Sequence, residues 1–244
     1  MKAVIPAAGK GTRLAGLTLE RPKAMVPVHD KPCLEHIINA LSQAGIKEII
    51  IITGHLSECI ESYFKDGSAW GVQITYVRQD MEGKYGTGYA VHLTADLVGD
   101  SPFLMTYGDV LVPFENYSGI VERYRERPVD ALIGVNWVED PYKGAAVYVD
   151  EEGKVVKIIE KPPKGTAGTH WNNAGVIIFS PVVFEYTAQL TPSERGEYEL
   201  TEAIQRMHGD RREIHAYFLQ GYWRDIGTPA DLQAAGEMLR QKHK

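Results

Sequence analysis

The chain has 244 residues, a formal net charge of −6 at pH 7 and two cysteines. The negative charge argues against nucleic-acid binding, and the longest strongly apolar run, near Ile49–Ile52, is too short for a membrane span. The N-terminal residues Met1–Pro6 offer no apolar run long enough for a signal peptide. Cys33 and Cys59 lack the spacing of a zinc site or a disulfide framework, so we expect a cytoplasmic protein with free thiols that binds neither nucleic acid nor membranes.

The first half of the sequence alternates buried strands with amphipathic helices. Strands are predicted from β-branched or apolar runs, and helices from apolar residues at i, i+3, i+4 and i+7. In chain order these elements are strand Lys2–Pro6, helix Pro32–Ala44, strand Glu48–Thr53, a helix from a Ser57 cap to Phe64, strand Val72–Val77, helix Tyr89–Val98, strand Phe103–Tyr107 and helix Tyr117–Arg125. This alternation predicts βαβ units and a parallel sheet with both faces covered.

After about residue 128 strands predominate. The predicted elements are strands Ala131–Val138, Ala145–Val149, Val155–Ile159 and Gly175–Phe179, a hairpin turn at Asp150–Gly153, helix Leu200–Met207, strands near His215–Leu219 and Tyr222–Arg224, and helix Asp231–Arg240. No long linker and no repeat interrupts them. We therefore expect one α/β domain over residues 1–244, with a nucleotide-type half over 1–128, a β-rich half over 129–230 and a C-terminal helix over 231–244.

The strongest local signal is the glycine-rich loop Pro6–Leu14, directly after the first strand. Its small residues would let the backbone approach an anion, and a following helical turn would add N–H groups. Basic residues cluster around it, because the first 24 residues contain Lys2, Lys10, Arg13, Arg21 and Lys23 but only one acid, Glu20. The loop is neither a P-loop nor a dinucleotide fingerprint. The pattern indicates a polyphosphate site, although an ordinary strand–turn–helix corner stays open as an alternative.

Several short motifs continue this signal along the chain. They are Gly9-Lys10-Gly11-Thr12-Arg13-Leu14 with Arg21-Pro22-Lys23, Pro27-Val28-x-x-Lys31-Pro32, Tyr107-Gly108-Asp109, Glu160-Lys161-Pro162, Asn173-Ala174-Gly175 and Trp223-x-Asp225-Ile226-Gly227-Thr228-Pro229. In this order they resemble the signature of the sugar-phosphate nucleotidylyltransferases, or NDP-sugar pyrophosphorylases. The resemblance implies a Rossmann-like α/β/α sandwich of the nucleotide-diphospho-sugar transferase type, with a mixed, mostly parallel central sheet.

The resemblance also implies a reaction and a set of site residues. A sugar 1-phosphate attacks the α-phosphorus of an NTP and pyrophosphate leaves, so the protein must neutralise two anions and align them, with Mg²⁺ as cofactor. The implied catalytic residues are Arg13, Lys23 and Asp109, and the implied metal ligands are Asp109 and Asp225. The implied nucleotide-binding residues are Ala7, Ala8, Gly9, Lys10, Gly11, Thr12, Arg13, Gln79, Gly86 and Thr87. The implied sugar-phosphate-binding residues are Gly144, Glu160, Lys161 and Asn173.

The chain departs from the family pattern at two places. Lys143 stands where a tyrosine commonly precedes the glycine, and the stretch after Gln79 is about two residues longer, which leaves the alignment of Gln79 open. The resemblance favours UTP or dTTP as the nucleotide. The alternatives are a phosphocholine cytidylyltransferase, a mannose- or heptose-1-phosphate guanylyltransferase, and a non-catalytic regulatory protein that binds nucleotide sugars. We expect NTP and a sugar 1-phosphate, or phosphocholine, as partners, a homo-oligomer, and no second activity.

Overall fold

A computed structural model describes residues 1–9 and 11–242 of the protein. The strands are β1 (Lys2–Pro6), β2 (Pro27–Val28), β3 (Lys31–Pro32), β4 (Glu48–Thr53), β5 (Gln73–Arg78), β6 (Phe103–Thr106), β7 (Val110–Leu111), β8 (Ala131–Trp137), β9 (Ala145–Val149), β10 (Val155–Glu160), β11 (Trp171–Phe179), β12 (Ile214–Phe218) and β13 (Arg224–Asp225). The helices are α1 (Cys33–Gln43), α2 (Ser57–Phe64), α3 (Thr87–His92), α4 (Ala95–Val98), α5 (Phe114–Glu126), α6 (Val183–Thr187), α7 (Leu200–Gly209) and α8 (Pro229–Lys242). The last two residues of the predicted C-terminal helix, His243 and Lys244, lie outside the described residues.

Nine strands form one mixed sheet. Its main path runs β10-β9-β11-β6-β1-β4-β5, and β8 joins β11 to the outlying strand β12. Strands β6, β1, β4 and β5 are mutually parallel, with Val4 of β1 opposite Ile50 of β4 and Met105 of β6. Strand β11 then runs antiparallel to β6, β8 and β9. Within this sheet the strands of the front half are therefore parallel, as predicted, and every antiparallel pairing involves a strand of the back half.

Apolar side chains cover both faces of this sheet. In β1, Ala3 and Ile5 pack into one core and Val4 into the other, because successive side chains of a strand point to opposite faces. Buried residues of α1, α2, α5 and α8 complete the first core, and those of α3, α4, α6 and α7 complete the second. This is the predicted α/β/α sandwich. Across the described residues, none of the helices combines the length and the apolarity that a bilayer crossing requires.

Two local predictions are wrong. The helix predicted over Tyr89–Val98 is split into α3 and α4, because the buried Thr94 hydroxyl donates to the Val91 carbonyl at 2.7 Å and competes with the helical backbone. Ser57 does not cap α2. The capping position is Leu56, in a left-handed conformation at φ 53°, and the Ser57 hydroxyl instead hydrogen-bonds Glu61.

Candidate active site

Two aspartates meet at the carboxyl edge of the parallel strands. Asp109 follows β6, and the Gly108 N–H donates to the Pro6 carbonyl at the end of β1 (3.2 Å). Asp225 comes from far along the chain: β13 pairs antiparallel with β7 so that Asp225 lies opposite Val110, and the Ile226 N–H donates to the Asp109 carbonyl at 2.9 Å. This two-residue pairing brings the carboxylates together where open α/β sheets bind ligands.

The Lys23 ammonium group joins these carboxylates. Its Nζ donates to Asp109 Oδ2 and lies 3.4 Å from Asp225 Oδ1, and only 15% of the lysine side chain is exposed. Burial by itself would lower the pKa of Lys23, but the two carboxylates outweigh it and hold that pKa above its ordinary value. Lys23 is therefore firmly charged.

The same crowding of charged groups affects the pKa of Asp225. Burial and then the negative charge of Asp109 raise the pKa of Asp225, while the positive charges of Lys23 and Arg13 oppose that rise. The described residues contain no cluster of three or more histidine, cysteine or acidic ligands. A pair of carboxylates is nevertheless a donor set that Mg²⁺ accepts, because this ion usually takes one or two carboxylates and keeps water and phosphate oxygens as its other ligands.

The glycine-rich loop borders a cavity of about 160 Å³ beside these charges. Pro6, Ala7, Ala8 and Gly9 line it together with Lys23 and Asp109. Gly11 has φ +65°, and a Cβ there would lie 2.7 Å from Lys23 Cβ, so glycine is required for the close approach of Lys23. Thr12 begins a 3₁₀-helix, Thr12–Thr18, and Lys10 lies outside the described residues.

Arg13 lies on the exposed side of the same site. A Cβ at Gly227 would be 3.5 Å from Arg13 Nη1 and equally far from Asp225 Oδ2, which places the guanidinium group near the aspartates. The predicted catalytic and metal-binding residues are thus brought together.

The far end of the cavity is lined by Gln79, Gly86 and Thr87, three of the predicted nucleotide-binding residues. Gln79 is buried, and its side-chain Nε2 donates to the Lys84 carbonyl at 3.4 Å. Gly86 has φ +131° and no room for a Cβ against the Tyr198 backbone. Chain packing therefore requires glycine at position 86, whether or not a ligand approaches it.

The segments 85–88 and 197–200 form a backbone joint at the cavity wall. The Tyr198 N–H donates to the Tyr85 carbonyl and the Gly88 N–H donates to the Tyr198 carbonyl, both at 2.8 Å. The Leu200 N–H also donates to Thr87 Oγ1 at 3.2 Å. This joint connects the two halves of the chain and places Glu197 on the cavity wall.

The residues predicted to bind a sugar phosphate lie around the end of β10. Glu160 is the last residue of that strand, and Lys161 follows with φ +42°, its N–H donating to the Gly144 carbonyl at 2.7 Å. The negative charge of Glu160 is, after burial, the next largest cause that raises the pKa of Tyr107, a tyrosine of the cavity wall. Gly144, Glu160 and Lys161 are thus neighbours beside the cavity.

Asn173 opens a bulge in β11. The register of β11 on β8 shifts between Asn173 and Ile177, and Asn173 Oδ1 accepts a hydrogen bond from the Gly175 N–H at 3.0 Å. Gly175 has φ +74°, and the Tyr107 ring fills the place of its absent Cβ. The bulge therefore makes room for the Tyr107 ring beside the cavity.

Sequence reasoning missed four residues at this site. Tyr85 and Glu197 line the cavity, and Arg195 and Thr201 contact the Glu160 carboxylate. Three of them lie just before or at the start of α7. The available signal was the charged run Arg195–Glu199 before a predicted helix, since loops at element ends often carry functional groups.

The fold and the site together define a class. An α/β/α sandwich presents a glycine-rich loop, a largely buried lysine and two aspartates at the carboxyl edge of its parallel strands, which is an arrangement suited to binding a nucleoside triphosphate. The model of the nucleotidyl transferase family matches residues 2–242, and the chain belongs to this family.

Individual relatives agree with this assignment. The chain is 38% identical over 240 residues to the low-salt glycan biosynthesis nucleotidyltransferase Agl11 of Haloferax volcanii, covering 98% of this chain and 66% of that protein. It is 34% identical to the UTP–glucose-1-phosphate uridylyltransferase AglF of the same organism, covering 99% of this chain and 98% of that protein. A structure of UTP-bound UGPase from Acinetobacter baumannii superimposes with a TM-score of 0.86 at 28% identity, over 99% of this chain and 94% of that one.

The relatives differ in length. The chain spans 55% of the bifunctional protein GlmU of Methanococcus maripaludis and 66% of Agl11, but nearly all of AglF.

Proposed function

We propose that the protein joins an NTP and a sugar 1-phosphate into an NDP-sugar and releases pyrophosphate. The observation that carries this proposal is Lys23 held between Asp109 and Asp225 at the mouth of the glycine-loop cavity. Two anionic substrates repel each other, so a site that unites them needs fixed positive charge and oriented backbone N–H groups. A largely buried, charged lysine supplies the positive charge, and the adjacent loop of small residues supplies the N–H groups.

The residues divide into three roles in this proposal. The loop residues Ala7 to Arg13, with Gln79, Gly86 and Thr87, bind the nucleotide, and Gly144, Glu160, Lys161 and Asn173 bind the sugar phosphate. Lys23 and Arg13 offset charge on the triphosphate. The oxygen of the sugar 1-phosphate forms a bond to the α-phosphorus while the bond to the β-phosphate oxygen breaks in line with it. The nucleophile is already ionised, so the site needs no strong general base.

Asp109 and Asp225 would hold a divalent cation, which we propose to be Mg²⁺. When bound, such an ion neutralises phosphate charge and polarises the phosphoryl group. Lys23 contacts one oxygen of each carboxylate, Asp109 Oδ2 and Asp225 Oδ1, and a bound ion would share the two carboxylates with the lysine. The cytoplasmic location and the homo-oligomeric state stay predictions.

UTP or dTTP with glucose 1-phosphate is the substrate pair that we propose first. AglF is named as acting on UTP and glucose 1-phosphate, and a relative from Streptomyces griseus, 33% identical, is named a glucose-1-phosphate thymidylyltransferase. These names support the preferred nucleotides.

A substrate matrix tests the proposed function. Five NTPs are each combined with common sugar 1-phosphates and with phosphocholine, and pyrophosphate release is measured with and without Mg²⁺. We expect Mg²⁺-dependent turnover with UTP or dTTP and a loss of at least ~100-fold in Asp109→Asn, as for other groups that stabilise transition-state charge. Asp96→Asn, at an exposed position of α4, is the matched control and should keep its rate.

The outcomes separate the candidate functions. Turnover only with CTP and phosphocholine, or only with GTP, would transfer the assignment to one of the alternative enzymes. If no combination turned over, or if Asp109→Asn kept full activity, the catalytic proposal would be wrong and a regulatory nucleotide-sugar-binding protein would be the better interpretation.

A further inference from the structure

The two carboxylate oxygens of Glu160 have different surroundings. Oε2 accepts a hydrogen bond from Thr201 Oγ1 at 2.6 Å, and Thr201 is buried, with 7% of its surface exposed. Oε1 lies 3.6 Å from Arg195 Nη2, beyond hydrogen-bonding distance, and that same nitrogen is 2.9 Å from Glu199 Oε1. Oε1 of Glu160 therefore keeps its capacity to accept hydrogen bonds, while Oε2 is committed to Thr201.

Thr201 is well placed to hold this orientation. It is the second residue of α7, and the helix is tied to β10 a second time by Gln205, whose Nε2 donates to the Ile158 carbonyl at 2.8 Å. The backbone joint at Tyr198 and the bond from the Leu200 N–H to Thr87 fix the start of the same helix against the cavity wall. Of the two α7 bonds to β10, the Thr201 bond is the one that reaches the carboxylate.

We propose that Thr201 is a positioning residue that fixes the Glu160 carboxylate so that Oε1 faces the hydroxyl groups of the acceptor sugar. This inference rests on the proposed function, because it assumes that Glu160 binds the acceptor. A carboxylate held in one rotamer binds a hydroxyl group without first losing conformational freedom, and small misplacements at such sites are costly. Thr201 itself need not touch the substrate.

The test removes only the hydroxyl group. In Thr201→Val we expect KM for the acceptor identified by the substrate matrix to rise about 10- to 100-fold, as for comparable misplacements at a site, with KM for the NTP changed less than about twofold. Thr201→Ser, which restores the donor, should return KM for the acceptor to within a few-fold of the wild type. A thermal unfolding curve for each variant establishes that it is folded at the assay temperature.

The matched control is Thr187→Val. Thr187 is also a buried threonine, on α6, and its hydroxyl donates to the Phe184 carbonyl at 3.3 Å and lies 3.2 Å from His92 Nδ1, away from Glu160. It should leave both KM values unchanged. An unchanged acceptor KM in Thr201→Val, an equal rise in both KM values, or a failure of serine to rescue would each overturn the inference on Thr201 while the proposed function stands. Absence of turnover in the wild type would defeat the proposed function, and this inference with it.

Discussion

Lys23 determines the charge balance of the site. Among the described residues, its ammonium group is the cation nearest to two carboxylates that would otherwise repel each other in a partly buried position. The raised pKa values of Lys23 and Asp225 are two consequences of the same crowding. We therefore expect removal of the lysine charge to destabilise the fold.

Replacement of the lysine tests this balance without any substrate. In Lys23→Met the apolar stem is kept and the charge is lost, so we expect the free energy of unfolding at pH 7 to fall by about 1–2 kcal/mol, below the range for fully buried pairs because Asp225 is partly exposed. Adding Asp225→Asn removes the remaining repulsion and should recover most of this loss. Urea unfolding of the wild type and of both variants measures the effect. Equal stability of Lys23→Met and the double variant would contradict it.

The two aspartates differ in how far sequence predicts their positions. Asp109 follows an apolar strand, so the rule for carboxyl ends of parallel strands predicts its place without a structure. Asp225 reaches the site through a pairing of two residues on each strand, β13 with β7. Such a short, non-local pairing leaves no periodic signal in the sequence. Its role was available only through the resemblance to a family.

At the scale of elements, the bulge in β11 couples the sheet to the cavity wall. A side chain at Gly175 would be unfavourable for two separate reasons. Its φ of +74° disfavours any L-residue, and the Tyr107 ring occupies the Cβ position. Gly153, in the turn between β9 and β10, has φ +79° and nothing within 4 Å of a built Cβ. Comparison of alanine substitutions at Gly175 and Gly153 therefore separates the cost of backbone strain from the cost of steric overlap.

We therefore expect Gly153→Ala to lose about 1–2 kcal/mol of unfolding free energy, the usual cost of a left-handed L-residue. Gly175→Ala should lose clearly more, because the Tyr107 ring must move, and it should also lower kcat/KM. Denaturant unfolding and steady-state assays of both variants measure this difference. Equal losses in the two alanine variants would mean that the ring moves aside at little cost.

Elements marked by a continuous apolar run were predictable. The bounds predicted for β1, β4 and β9 agree with the structure, and the turn at Asp150–Gly153 joins β9 to β10. The division of α3 from α4 was not predictable from period, because it depends on one buried hydroxyl group at Thr94. The bulge at Asn173–Gly175 likewise involves a residue far away in the chain, because the ring that packs against Gly175 belongs to Tyr107.

At the scale of the whole molecule, both cores share the same strands. Ile51 and Ile52 are adjacent in β4, are fully buried and belong to opposite cores. Because the sheet is common to both layers, we propose that the described chain unfolds as one cooperative unit. A small cavity on either face should then weaken the whole fold.

This cooperativity has a direct test. Ile51→Val and Ile52→Val should each lower the unfolding free energy by about 0.5–1.5 kcal/mol, the usual cost of one buried methyl group, with one transition and an unchanged m value. Transitions followed by tryptophan fluorescence and by far-UV circular dichroism should coincide in every variant. A second transition in only one of them would mean that the two layers melt separately.

The backbone joint between residues 85–88 and 197–200 limits how such proteins can be recombined. If the crossover of a chimera lay anywhere between the two segments, the two sides of this joint would come from different parents. Gly86 tolerates no Cβ against the Tyr198 backbone, so a mismatched parent at either segment would push the cavity wall apart. A chimera of this chain with a relative should therefore take residues 85–88 and 197–200 from the same parent.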